Sequence, residues 1–162
     1  MNGDDSKAIA RQAVDALNAG GSLEDAMREA IKVATLRHHA AERAWLSMQL
    51  SDVKKPPDLW MPEDLFILWR QVDAEFPGDR QTPKHIKVTV GKQYADSRAL
   101  PHDTGRYWSG SISTLEDLLH KLTLLEQNAP DQIRSETELS DLRAVYNGLR
   151  ERVIKYVASE AG

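Results

Sequence analysis

The chain has 162 residues, 41% of them apolar, and 21 Lys and Arg against 25 Asp and Glu, a composition that suits one compact domain with its own core. No apolar run approaches the ~20 residues of a membrane-spanning helix, and the polar, acidic stretch Met1 to Ser6 is unlike a secretory signal, so the expected location is the cytoplasm, away from membrane. The absence of Cys removes disulfides and thiolate chemistry, only five His remain beside the carboxylates as strong metal ligands, and the net charge of -4 argues against indiscriminate binding to nucleic acid. No cofactor is expected.

The first helix is expected from Ser6 to Asn18, with capping oxygens at Asp4, Asp5 and Ser6 and a stripe of Ile9, Ala10, Ala13, Val14 and Leu17. Gly20 and Gly21 end it. Ser22 to Asp25 then opens a longer helix in a variant of the capping box, and Leu23, Met27, Ala30, Ala34, Ala41, Trp45 and Met48 carry its period to about Leu50. The short connection makes these two an antiparallel pair. Pro56 and Pro57 stop the second helix, because proline supplies no amide donor.

A third, shorter helix is expected from Pro62 to Phe76, burying Leu65, Phe66, Trp69, Val72 and Phe76. From Arg80 to Tyr107 helical periodicity is lost. The alternation His85-Ile86-Lys87-Val88-Thr89-Val90, ended by Gly91-Lys92, reads as a strand, with Tyr107-Trp108 as a candidate partner in a small hairpin or irregular insertion. Thr114 is the expected cap of a helix with Leu115, Leu118, Leu119, Leu122 and Leu125 on its ridge. The last helix opens at Ser135 and turns Leu142, Val145, Tyr146, Leu149, Val153, Tyr156 and Val157 inward, while Gly148 within it suggests a close helix contact. Together these give a mainly α chain over 1-162, of about five amphipathic helices, with a small irregular or β insertion at 80-110.

Candidate chemistry is sparse. His38 and Glu42, four apart on one expected helix face, have the spacing of two metal ligands but no evident third. Arg80 and His85 match the spacing of an Arg and His pair in helical ribonucleases, but Pro83 between them is foreign to a helix. His102, Asp103 and Arg106 could serve as acid, base and anion clamp, or Asp103 could bond turn amides. The segment Arg80 to Tyr107 carries +4 against -8 for the remainder, through Arg80, Lys84, Lys87, Lys92, Arg98 and Arg106. With Tyr94, Tyr107 and Trp108 interleaved, it suits either phosphates and bases or acidic surfaces of protein. Trp60, Met61, Leu65, Phe66 and Trp69 are core candidates, of which Trp60, ahead of its helix, could also anchor an interface.

Three segments resemble the AbiTii-type domain of bacterial abortive-infection systems. Ala30-Ile31-Lys32-Val33-Ala34 followed by Glu42-Arg43-Ala44-Trp45-Leu46 is similar to that family's helix ending in tryptophan. Ser111-Ile112-Ser113-Thr114-Leu115-Glu116-Asp117-Leu118-Leu119 is similar to its Ser-Ile-x-x-Leu-Glu-x-Leu-Leu segment, and Leu139 to Val157 looks like its closing helix. The chain differs where Gln49-Leu50-Ser51-Asp52-Val53 replaces the family's Glu-Leu-Asn-Gly-Tyr turn. The resemblance implies an interaction role in phage defence and nominates no catalytic residue. The sequence-based expectation is therefore a non-enzymatic module that binds a protein partner or self-associates, through Trp60, Lys84, Lys87, Lys92, Arg98, Arg106 and Trp108. Nucleic-acid binding by the basic segment is the alternative.

Overall fold

The computed structural model describes residues 3–50, 90–103, 105–133 and 135–162, and this part is mainly helical, with a helix pair at the N-terminus. The expected helix from Pro62 to Phe76, the run His85 to Thr89 and the Trp60 to Trp69 cluster lie outside the described residues.

Helix α1 (Gly3–Asn18) begins ahead of the expected Ser6 and buries Ala10, Ala13 and Leu17. It closes where Gly20 adopts φ +86°, which lets the Gly21 amide reach the Ala16 carbonyl at 2.8 Å and the Gly20 amide that of Leu17 at 3.1 Å. Only glycine enters this left-handed region without strain, so the last carbonyls of α1 are satisfied at little cost. Helix α2 (Leu23–Leu36) starts as expected, the Ser22 hydroxyl accepting from the Asp25 amide.

The single long helix expected to run to Leu50 is in fact two, α2 and α3 (Ala40–Gln49), separated at Arg37, His38 and His39. The break repeats the closure of α1: His38 takes φ +58°, the His39 amide bonds the Ala34 carbonyl at 2.9 Å, and the His38 amide that of Thr35 at 3.3 Å. A non-glycine residue there costs about 1 kcal/mol. Side chains on both flanks offset it, for Arg37 donates to the Ser6 hydroxyl at 2.6 Å and His39 Nδ1 lies 2.8 Å from the Tyr156 hydroxyl.

In the stretch between Gly91 and Tyr107, expected to be irregular or part of a small hairpin, the chain forms a short helix, α4 (Lys92–Arg98). The reason is spacing: Val90, Tyr94 and Arg98 recur every fourth residue and all three are fully buried, a helical period. Among the described residues β structure is confined to one antiparallel bridge, Ala99 to Tyr107, flanked by the Leu100 amide on the Arg106 carbonyl and the Trp108 amide on that of Arg98. Helix α5 (Ile112–Asn128) is capped by Ser111, three residues before the expected Thr114, and its hydroxyl accepts from the Thr114 amide at 3.2 Å. After a tight turn at Pro130–Gln132, α6 (Glu136–Ala161) begins at the expected cap, Ser135.

Helix α6 is the axis of the bundle, burying Leu139, Leu142, Val145, Leu149, Val153 and Val157 as it packs against α1, α2, α4 and α5. Arg150 on α6 donates to the Leu17 carbonyl near the end of α1, and Arg11 on α1 donates to the Ala161 carbonyl at the end of α6. These reciprocal contacts set α1 and α6 antiparallel and place a cation at each negative helix terminus. Residues from each of the described helices enter one apolar core, with Trp45 fully buried in it. No described helix is long and apolar enough to cross a membrane.

The start of α2 is completed from a distance. The Glu116 carboxylate on α5 accepts from the Ser22 hydroxyl at 3.0 Å, the Leu23 amide at 3.1 Å and the Glu24 amide at 2.9 Å, fastening α5 to the first turn of α2. Glu116→Ala is expected to destabilise the protein by about 1–2 kcal/mol, the size of a lost helix cap, read as a lower chemical-denaturation midpoint. Gly148 makes no close contact with a described helix, since a Cβ built there meets no described residue within 4 Å. Gly148→Ala is accordingly expected to raise stability by about 1 kcal/mol through helix propensity, and a loss in the same measurement would contradict the open surroundings.

Candidate functional site

Of the sequence-predicted partner-binding residues, Lys92, Arg98, Arg106 and Trp108 fall within the described part of the structure. Trp60, Lys84 and Lys87, with Arg80 and His85, lie outside the described residues. Lys92 is exposed at the start of α4. Arg98, expected as a surface cation, is instead fully buried: its Nε donates to Gln49 Oε1 at 2.9 Å and its Nη1 to the carbonyls of Trp108 and Gly110. Its guanidinium also sits 5.0 Å from the centre of the Tyr94 ring. Five donors in a fixed plane let arginine tie α3, α4 and the segment before α5 together from one point, which a lysine could not do. Trp108 is half-buried against the core, with a Cβ at Gly110 landing 2.8 Å from its ring, so packing occupies most of this side chain.

The His102, Asp103 and Arg106 constellation is rearranged. Arg106 remains exposed and pairs with Asp103 at 3.6 Å. His102 turns to a residue that spacing did not nominate, Asp141 on α6, which is 3% exposed. Asp141 accepts from the His102 amide at 3.1 Å through Oδ2 and from the ring Nδ1 through Oδ1, while the His102 side chain stays 62% exposed. The available signal was an acid four residues before Val145, on the buried side of an amphipathic helix. Glu116 and Gln49 were missed for the same reason, each being a polar residue beside an apolar stripe whose partner lies far along the chain.

His38 and Glu42 do not share a helix face, because the break puts His38 in a turn before α3. Both nevertheless line an open cleft of about 650 Å³, together with His39, Arg152, Lys155, Tyr156 and Glu160. Its charges are largely matched within the fold. Arg152 contacts Glu42 at 3.3 Å and Gln93 at 2.8 Å while its guanidinium stacks 3.6 Å over the Trp45 ring, and Glu160 faces Arg37 at 3.7 Å. Among the described residues no group of three His or carboxylate ligands stands close enough to hold a metal ion.

Away from the cleft lining, α5 is incompletely covered. Its N-terminal Ile112 and Leu115 are buried, but Leu118, Leu119, Leu122 and Leu125 are only half-buried and Leu124 is 44% exposed. Asp117 and Lys121 are exposed beside Leu124. Helical spacing puts these three on the outward side, with Leu118 and Leu125 at its edge.

No family model matches the chain, and neither the curated proteins nor the solved structures compared with it give a match.

Burial in the cleft, reinforced by the nearby Glu160 and Glu42 carboxylates, pushes the Tyr156 phenol well above its ordinary value of 10.0. The folded protein therefore keeps this proton after the unfolded chain has lost it. Stability is retained below about pH 10 and falls as the pH rises further. Tyr146, raised by burial and by Glu116, acts in the same sense. In Tyr156→Phe the decline of stability above about pH 10 is expected to be shallower than in the wild type, although the variant also loses the His39 contact. Parallel pH profiles for the two proteins would show that this phenol is not a source of the alkaline loss.

Proposed function

We propose that the protein is a non-enzymatic helical interaction module that self-associates through α5. The observation that carries this reading is the row of leucines at 118, 119, 122, 124 and 125 that the bundle leaves partly or largely open. Exposed single leucines are ordinary, whereas an apolar ridge along one helix is the feature that helix-to-helix association uses. The charges suggest the partner. Asp117 and Lys121 lie one turn apart, both exposed and without an ion pair to a described residue. An antiparallel two-fold pairing of α5 helices sets Asp117 of each copy opposite Lys121 of the other, with Leu118 and Leu124 alongside, so one surface complements itself.

The resemblance of the α2, α3, α5 and α6 sequences to the AbiTii-type domain supports a setting in prokaryotic phage defence, where such a module would join or assemble effectors. A nucleic-acid role for the basic segment has less to rest on, because Arg98 is withdrawn into the core and Arg106 is paired. Phosphate affinity depends on the number of cations free to displace counterions.

Light scattering coupled to size exclusion is expected to give a dimer of the full chain and a monomer for Leu124→Lys. Asp117→Lys and Lys121→Asp should each weaken the dimer, and the two together should restore it, since the exchange preserves the pairing across the axis. A monomeric wild type, or a dimer indifferent to all three changes, would falsify self-association through α5.

A further inference from the structure

We propose that His102 is a phosphoryl-acceptor site, built by Asp141 and reactive at Nε2 toward small donors that carry a phosphorus–nitrogen bond. The case begins with the tautomer. A carboxylate accepts hydrogen bonds and does not donate them, so the imidazole nitrogen facing Asp141 Oδ1, Nδ1, carries the hydrogen. Nε2 then holds the lone pair. It is also the ring nitrogen left for an outside reactant, on a side chain that is 62% exposed and makes no other hydrogen bond to a described residue.

The ring is held as well as oriented. Asp141 Oδ2 takes the backbone amide of the same histidine at 3.1 Å, so one carboxylate fixes both the main chain and the imidazole of His102. Asp141 is itself 3% exposed on the rigid α6, whose neighbouring Leu142 and Val145 are buried in the core. A loop tie alone would need only the amide contact. The additional bond to an imidazole that remains in solvent gives little burial in return, and its chemical effect is to raise the nucleophilicity of Nε2.

The electron balance explains why a buried carboxylate suits this step. The Nε2 lone pair forms a bond to phosphorus while the donor's P–N bond breaks; the donor nitrogen, already protonated near neutral pH, keeps the bonding pair and leaves as ammonia. The ring, still protonated on Nδ1, becomes positively charged. Asp141 offsets that charge through the hydrogen bond already in place, so no group has to reorganise as the charge develops. Exchanging one P–N bond for another needs no further energy source. The other charged groups of the loop are Asp103 and Arg106, which pair with each other at 3.6 Å and so present little net charge to an incoming phosphate. The site does not depend on the α5 surface.

The test uses the full chain and potassium phosphoramidate near neutral pH, with the labelled positions mapped by mass spectrometry under alkaline conditions that preserve N-phosphohistidine. His120 is the internal reference, being an exposed histidine on α5 with no carboxylate partner among the described residues. His102 is expected to label about tenfold faster than His120, and Asp141→Asn to remove most of that advantage, because the neutral amide no longer offsets the charge on the ring. Equal rates at His102 and His120 in the wild type would overturn the proposal, with no variant needed. An undiminished advantage in a folded Asp141→Asn protein, checked by circular dichroism, would overturn the role given to the carboxylate.

Discussion

Everything described in this protein is organised by one constraint, the burial of a single long face of α6. Over 26 residues it carries six fully or nearly fully buried aliphatic side chains, and α1, α2, α4 and α5 each pack against it. None of these four helices could shelter its own apolar stripe alone, and most helical stability in a protein comes from such packing. The small side chains Ala10, Ala13, Ala26, Ala30 and Ala34 are buried on α1 and α2, which pack against each other, so closeness of approach replaces bulk there. Trp45 on α3 is fully buried in the same core, and the Arg152 guanidinium closes over its ring.

Upon this apolar frame a second set of contacts fixes the chain where helices end. Glu116 completes the start of α2, Arg98 gathers the segment around Trp108 and Gly110, Arg150 meets the end of α1, and Asp141 holds the His102 loop. Each joins residues distant in sequence, and each satisfies backbone groups that a helix end or a turn leaves open. Charged side chains suit this work because a hydrogen bond to an ionised group is roughly twice as strong as a neutral one. The cost is desolvation, which explains why Arg98, the most buried of them, spends its donors on three separate acceptors.

Legibility in the sequence followed the range of the interaction. The caps at Ser22 and Ser135, the glycine closure after α1 and the apolar stripes of α1, α5 and α6 are set within a few residues, and local pattern located them. The break at His38 was invisible because it contains neither proline nor glycine, and the stripe from Ala34 to Ala41 keeps a helical period across it. What makes the turn there is a set of contacts to Ser6, Tyr156 and Glu160, all remote in the chain. The α4 helix was hidden differently: Val90, Tyr94 and Arg98 form its buried stripe, and a stripe containing arginine reads as surface until the acceptors around it are known. Of the candidate site, His102 was legible as a residue and Asp141 was not, because a carboxylate on the inner side of a helix declares no partner.

The same division separates structural polarity from polarity that can act. In the cleft beside His38, Glu42 and Glu160 are matched by Arg152 and Arg37, so the side chains that look most like a site largely serve the fold. Strain at His38 fits this reading, since three side-chain contacts around the turn account for a left-handed residue without appeal to a ligand. Asp141 differs in one respect. Its partner is a ring that remains in solvent, so the buried charge is conveyed to an atom that another molecule can reach. A buried carboxylate whose hydrogen bond ends on a solvent-exposed imidazole is where chemistry with an outside reactant can occur.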